Sequence, residues 1–214
     1  MFVADWMTKQ VVTVVPDDSV SHAMHAMRER GVKHLPVVRA GAVIGVISDR
    51  DIKTYTPSKA TGLDLYEINY LLAKATVRDA MGKHLVTTTA DTPVEEAALL
   101  MFEQNVGCLP VVEGDVLVGI ISDRDIFRAL IDITGVRRGG HRICVTVADS
   151  PGTIREVADI VRRHRFSLQG IMTSYARSPK GSRRVVIRTS GEGDFPGLRA
   201  DLEAAYAAVR IKQR

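Results

Sequence analysis

Val20, Ala23, Met24 and Met27 fall at i, i+3, i+4 and i+7, which on a helix makes one apolar stripe. Val94, Ala97, Ala98 and Met101 repeat the stripe further along the chain. Ser19 stands where an N-cap belongs in the first helix, and Pro93 suits the first turn of the second. A short extended run precedes each helix, Val12–Val15 or Val86–Thr89. Two β-rich runs follow it, LPVV then AVIGVIS, or LPVV then VLVGIIS. Tight turns at Arg39-Ala40-Gly41 and Glu113-Gly114-Asp115 join them, and each second run enters a helix at SDRDI.

These two passages are copies. Residues 3–52 align with 77–126 without a gap, with 23 identities in 50 positions. Each copy reads β-α-β-β-α. About fifty residues bury little core alone, so the copies are expected to pack together as one domain over 1–133. Its units run about 1–56 and 77–133, and a connecting helix lies in 57–76, with Leu65, Ile68, Leu71 and Leu72 on its docking side. Pseudo-twofold packing would set equivalent residues facing one another across a cleft.

After FRALIDI the chain breaks into TGVRRGG, a linker at 134–140. Residues 141–214 then change character. HRICVTVA alternates as a strand, and Ile154, Val157, Ala158 and Val161 mark an amphipathic helix. SLQGIMTSYAR and SRRVVIRTS make a hairpin through SPKG, LRADLEAAYAAVR makes a second helix, and a short last strand ends the chain. The order β-α-β-β-α-β is the split βαβ, ferredoxin-like arrangement. The fold class is therefore mixed α/β (α+β).

Charge supports two units with different surfaces. Residues 1–136 hold 13 Lys+Arg and 18 Asp+Glu, whereas 137–214 hold 16 and 7. The basic half suits nucleic acid or anionic ligands, or is a solvated cationic face; its arginines are scattered rather than blocked. Aromatic residues make up 5%, with no basic–aromatic interleaving for nucleic-acid stacking. No apolar run approaches the roughly 18 residues that span a bilayer, and MFVADWMTKQ does not read as a signal peptide. Cys108 and Cys144 read as buried free thiols in a reducing cytoplasm, with a disulfide as the alternative. Six scattered histidines, including the pair His22 and His25, lack partners for a metal site. No nucleophile–base set has coherent context. GEGDFPG (191–197) has the wrong spacing for a dinucleotide loop and reads as a flexible loop.

The repeated GVISDRD and GIISDRD admit two readings. Ser-x-x-Asp before a helix is a capping box, in which hydroxyl and carboxylate satisfy orphan backbone N–H groups. The same geometry suits a nucleotide. Free N–H groups and a serine hydroxyl favour phosphate, a carboxylate accepts from the vicinal hydroxyls of ribose, and Arg50 and Arg124 add positive charge.

The doubled motif with its LPVV strand resembles a pair of CBS domains, the Bateman module, over residues 1–133. That resemblance implies adenosine-containing ligands in two pseudo-symmetric clefts. Ser48 and Ser122 would then meet phosphate, and Asp51 and Asp125 the ribose. Lys33, His34, Leu35 and Pro36, with Gly107, Cys108, Leu109 and Pro110, would frame adenine, helped by Thr13 and Thr87 on the opening strands. Residues 141–214 resemble an ACT domain through Asp149-Ser150-Pro151-Gly152, a D-x-P-G turn near which many such domains bind an amino acid. A bland account also fits the turn, since Pro fixes φ, Gly permits unusual angles, and Asp149 caps the helix. Ser167-Leu168 departs from the Asn-Ile pair frequent in that family. Two CBS units followed by ACT resemble the AcuB-like acetoin-utilisation family, as do residues 57–81 and 183–198.

These readings imply a cytoplasmic, non-catalytic ligand sensor that forms a homodimer through CBS and ACT pairing and acts on a partner protein. It would need no cofactor or metal beyond a regulatory adenosine nucleotide such as AMP, ADP, ATP or S-adenosylmethionine. An amino acid at Asp149, Pro151 and Gly152 is the second expected ligand. A nucleic-acid-binding regulator and a structural dimer with empty clefts stand as alternatives.

Overall fold

The structure is a computed structural model that describes residues 1–56 and 64–213. The chain divides into two compact units, Met1–Phe127 and Arg128–Arg214.

The first unit carries the repeat. Its elements are α1 (Val3–Trp6), α2 (Val20–Arg30), β1 (His34–Arg39), β2 (Ala42–Ser48), α3 (Asp49–Tyr55) and α4 (Leu65–Lys74). The second copy contributes α5 (Val77–Ala80), α6 (Val94–Glu103), β3 (Cys108–Glu113), β4 (Val116–Ser122) and α7 (Asp123–Ile133). Ser19 caps α2 by accepting from the His22 N–H at 3.1 Å. Pro93 is the N-cap of α6, one position outside the first turn expected for it. The β1–β2 turn places Ala40 and Gly41 both at positive φ (50° and 87°), as a two-residue hairpin turn of the I′ kind requires.

The two copies make one sheet of order β1-β2-β4-β3. Ala42 pairs with Val116 at its centre, and these residues are equivalent in the repeat. Both hairpins carry the same irregularity, between Val37 and Val38 and between Val111 and Val112. The isolated bridges come in matched sets. Phe2 pairs with Pro93 as Thr76 pairs with Ser19, and Thr8 pairs with Ile120 as Gly82 pairs with Val46. Each copy thus hands its first segment to the other copy. The cores follow suit: Val77 joins Val20, Leu35 and Ile47, while Val3 joins Ala97, Leu109 and Ile121.

Several expectations need correction. The opening strands shrink to single parallel bridges, Val14 with Val37 and Thr88 with Val111, because a Pro- or Asp-bearing turn follows within two or three residues. Helices α1 and α5 were not expected. The start of the connecting helix, residues 57–63, lies outside the described residues. In α4, Ile68 and Leu72 pack on the first copy's core, but Leu71 is exposed. The boundary between units falls inside α7 rather than at 134–140.

The second unit follows α7 with a 3-10 turn at Val136–Arg138, then β5 (His141–Ala148), α8 (Thr153–Arg163), β6 (Ser167–Ser174), β7 (Ser182–Ser190), α9 (Phe195–Ala205) and β8 (Val209–Gln213). The 134–140 segment is tied into this unit: the Arg188 guanidinium donates to the Gly139 carbonyl at 3.0 Å. The sheet order is β6-β7-β5-β8, antiparallel throughout, which is the ferredoxin-like topology. Val157 and Val161 of α8 and Leu198 and Leu202 of α9 bury against Ile143, Val145, Val185 and Ile187. Helix α9 begins earlier than expected because Asp194 caps it, accepting from the Gly197 N–H at 3.0 Å. The GEGDFPG loop therefore ends as a helical turn. The helix also stops at Ala205, so Val209 and Arg210 belong to the last strand.

Candidate functional site

The site grows from the end of β2. Ser48 leaves the strand as the N-cap of α3, and its hydroxyl accepts from the Asp51 N–H at 3.2 Å. Asp51 returns the interaction: its Oδ2 accepts from the Ser48 N–H at 2.8 Å and from the Ser48 hydroxyl at 2.6 Å. The capping box is thus formed. In the second copy Asp125 Oδ2 likewise accepts from the Ser122 N–H at 3.0 Å and hydroxyl at 2.7 Å.

Capping does not withdraw Asp51 from solvent access. It lines a cleft of about 660 Å³ together with Lys33, His34, Ser48 and Arg50 of the first copy, a volume in the usual range for small-molecule sites. The facing wall comes from the second copy and includes Gly107, Cys108 and Asp123. His34 pairs across the hairpin with Ser48. Burial lowers the His34 pKa, while the carboxylates of Asp123, Asp49 and Asp51 pull it upward. Asp49 is held below its usual pKa chiefly by a hydrogen bond from Lys53 at 2.9 Å. Cys108 is buried and its thiol is pushed up to about 12 by desolvation.

Other residues expected at the site lie elsewhere. Leu35 and Leu109 are fully buried core residues, and Pro36 and Pro110 are buried beside them. Thr13 is exposed and Thr87 half-buried, and neither lines this cleft. Ser122, Arg124 and Asp125, the set expected for the second cleft, are half-buried, exposed and buried in turn. The cleft also uses residues that no sequence motif marks: Lys83, His84, Phe102, Gln104 and Asn105. His84 Nε2 and Gln104 Oε1 lie 3.1 Å apart. The twofold itself was the signal for them, since the bridge between Gly82 and Val46 carries Lys83 and His84 to the other copy's strand.

In the second unit the Asp149-Ser150-Pro151-Gly152 turn is held from within. Asp149 Oδ1 lies 3.5 Å from Arg183 Nε and accepts from the Tyr175 hydroxyl at 3.4 Å. Arg183 Nη2 also donates to Thr153 Oγ1 at 3.2 Å. Asp149 does not cap α8, whose N-cap is Gly152 at φ 91°. Asp149, Pro151 and Gly152 are all exposed. Both cysteines are free, Cys108 buried and Cys144 half-buried. Among the described residues no helix is long and apolar enough to cross a membrane, and no group of three or more His, Cys, Asp or Glu residues is placed to hold a metal ion.

This architecture has close parallels. An acetoin utilization assignment (AcuB) is carried by a Vibrio cholerae protein whose crystal structure matches with TM-score 0.53 and 27% identity, over 64% of this chain and 96% of that one. The CBS domain pair of protein MJ0100, in complex with 5′-methylthioadenosine and S-adenosyl-L-methionine, matches with TM-score 0.51 and 26% identity, over 61% and 95%. CBSX2, a CBS-pair protein from Arabidopsis thaliana, matches in its complex with AMP with TM-score 0.50 and 30% identity, over 62% and 97%. The chain spans about half the length of the curated relatives it matches, such as the Methanocaldococcus jannaschii protein MJ1225, at 34% identity over 58% of this chain and 47% of that one. The CBS domain model matches residues 3–57 and 77–132, just over half of the sequence. Both stretches are the repeats whose segments cross over in the fold, and the chain belongs to the CBS-domain family.

Proposed function

We propose that this protein is a non-catalytic sensor of adenosine-containing nucleotides, which bind between its two CBS units. The observation that carries this reading is the position of Asp51. Its carboxylate lines the cleft while its Oδ2 is fixed by two donors from Ser48. A pre-set carboxylate beside a hydroxyl and two cations, Lys33 and Arg50, suits a ribose with an attached phosphate or other 5′ group. AMP in CBSX2 and S-adenosyl-L-methionine in MJ0100 support that ligand class. Ser48 meets the phosphate, Asp51 the ribose hydroxyls, and His34 the base. Ser122, Arg124 and Asp125 serve the equivalent cleft of the second copy.

The second unit is an ACT domain on this reading, and the whole chain an AcuB-like cytoplasmic regulator. Its ferredoxin-like sheet has an open edge at β6, suited to pairing with a second copy, and the Asp149 turn is where an amino acid would act. No further cofactor is required. Nucleotide binding shifts the arrangement of the protein to the extent that one arrangement binds more tightly, and a partner protein reads that shift.

Calorimetric titration with AMP and with S-adenosylmethionine tests the site. Asp51→Ala removes a charge-assisted contact of roughly 1.5–3 kcal/mol, so affinity at that cleft falls about 10- to 150-fold. Loss of the cap costs about 1 kcal/mol of stability, so circular dichroism must show the variant folded. Unchanged affinity in a folded Asp51→Ala, Asp125→Ala double variant would overturn the assignment.

A further inference from the structure

The twofold that relates the copies is exact enough to transfer the cleft. Hairpin irregularities, exchanged bridges and the central pair all repeat at the same offset. Each residue lining the Asp51 cleft therefore has a counterpart beside Asp125. Most counterparts are similar: Lys83 corresponds to Lys9, and Arg50 to Arg124. Two are not. Phe102 and Gln104, on one wall of the Asp51 cleft, correspond to Arg28 and Arg30 at the end of α2. Among the described residues neither arginine has an acidic partner, and both are exposed. Gln104 Oε1 instead lies 3.1 Å from His84 Nε2.

The chemical contrast is plain. In the Asp51 cleft, Lys33, Arg50 and Lys83 face Asp49, Asp51 and Asp123, so charge is balanced. The equivalent positions of the repeat, Asp123, Asp125 and Asp49, keep three aspartates and add the two arginines. Guanidinium groups bind phosphate oxygens in paired hydrogen bonds, whereas an exposed Phe offers a flat apolar surface. Resting on the nucleotide reading above, we propose that the two clefts divide adenosine ligands by charge. The cleft at Asp125, with Arg28 and Arg30, selects polyphosphates such as ATP. The cleft at Asp51, with Phe102 and Gln104, selects ligands with less negative charge than a polyphosphate, such as AMP or a 5′-thioether nucleoside.

The test exchanges the differing residues in the full chain, all at exposed positions. Calorimetry with ATP, AMP and 5′-methylthioadenosine, without magnesium, reads the result. Arg28→Phe with Arg30→Gln lowers ATP affinity about tenfold or more while AMP binding changes little. Phe102→Arg with Gln104→Arg raises ATP affinity at the Asp51 cleft by a similar factor. Asp51→Ala, added to the first exchange, shows which cleft responds. If nucleotides bind but their ATP-to-AMP ratio ignores both exchanges, the division by charge is wrong and the sensor reading stands. If no adenosine ligand binds the unaltered protein, both fall together.

Discussion

The imidazole of His34 rests against the backbone of Gly107, so closely that a Cβ at 107 would stand 2.9 Å from Nε2 and 3.1 Å from Cε1. The two residues come from different copies and both line the cleft. Gly107→Ala should therefore displace the ring, costing about 1–3 kcal/mol and loosening adenosine binding. Adding His34→Ala should return most of the stability and none of the affinity. Urea unfolding of the single and double variants checks this; an additive pair would contradict it.

Two further glycines, Gly45 and Gly119, are equivalent in the repeat but differ in how tightly they pack. A Cβ on Gly45 would lie 3.0 Å from Met81 Sδ, whereas one on Gly119 would lie 2.5 Å from Met7 Sδ and 3.2 Å from the Thr8 carbonyl oxygen. Gly119→Ala should be the costlier change, by about 1 kcal/mol or more, because a backbone atom blocks the retreat of the side chain. Thermal melts of the two variants should keep that order, and the reverse order would refute the packing described.

Acid should weaken the fold through two half-buried imidazoles. Desolvation lowers the pKa of His34, and that of His141, which stacks on Phe195 at 4.2 Å. Both groups prefer to be neutral in the folded chain. As pH falls through the usual 6.5 the unfolded chain takes up protons first, so stability complete above that value is lost toward the lower folded one. Melting midpoints measured from about pH 7 to about pH 5 should decline, and His141→Gln should flatten the slope. A slope unaltered by His34→Gln and His141→Gln together would rule these groups out.

Thiol chemistry should separate the cysteines. With its pKa pushed up to about 12, Cys108 carries almost no thiolate at neutral pH. The folded protein should react with no more than one equivalent of a disulfide reagent, at Cys144, and with two after denaturation. Rapid native labelling of Cys108, located by mass spectrometry, would mean that its side of the cleft is open.

Much of this was legible in the sequence because it is local. HRICVTVA alternates and is β5 to the residue, Ser19 caps the helix it precedes, and the repeat announced both SDRD caps. What escaped notice was nonlocal or too short to have a period. A four-residue helix such as α1 shows no stripe. Leu71 matched an apolar pattern, yet α4 touches the core through Ile68 and Leu72 on a narrower strip. Leu35 and Leu109 sit in the motif that suggested a base-binding wall, but alternation along β1 and β3 turns them into the core. No sequence pattern marks Lys83, His84, Phe102 and Gln104; only the crossing of the copies places them on the cleft's far wall.

That crossing governs how the protein can be made. Thr8 has its strand partner at Ile120 and Phe2 has its own at Pro93, so the amino-terminal residues leave the ribosome long before their mates exist. The first copy must wait, its Val3 without the pocket formed by Ala97 and Leu109, until nearly the whole second copy has been synthesised. Nascent first copies on neighbouring ribosomes carry the same vacant seats, and early mispairing between chains is the hazard built into the exchange.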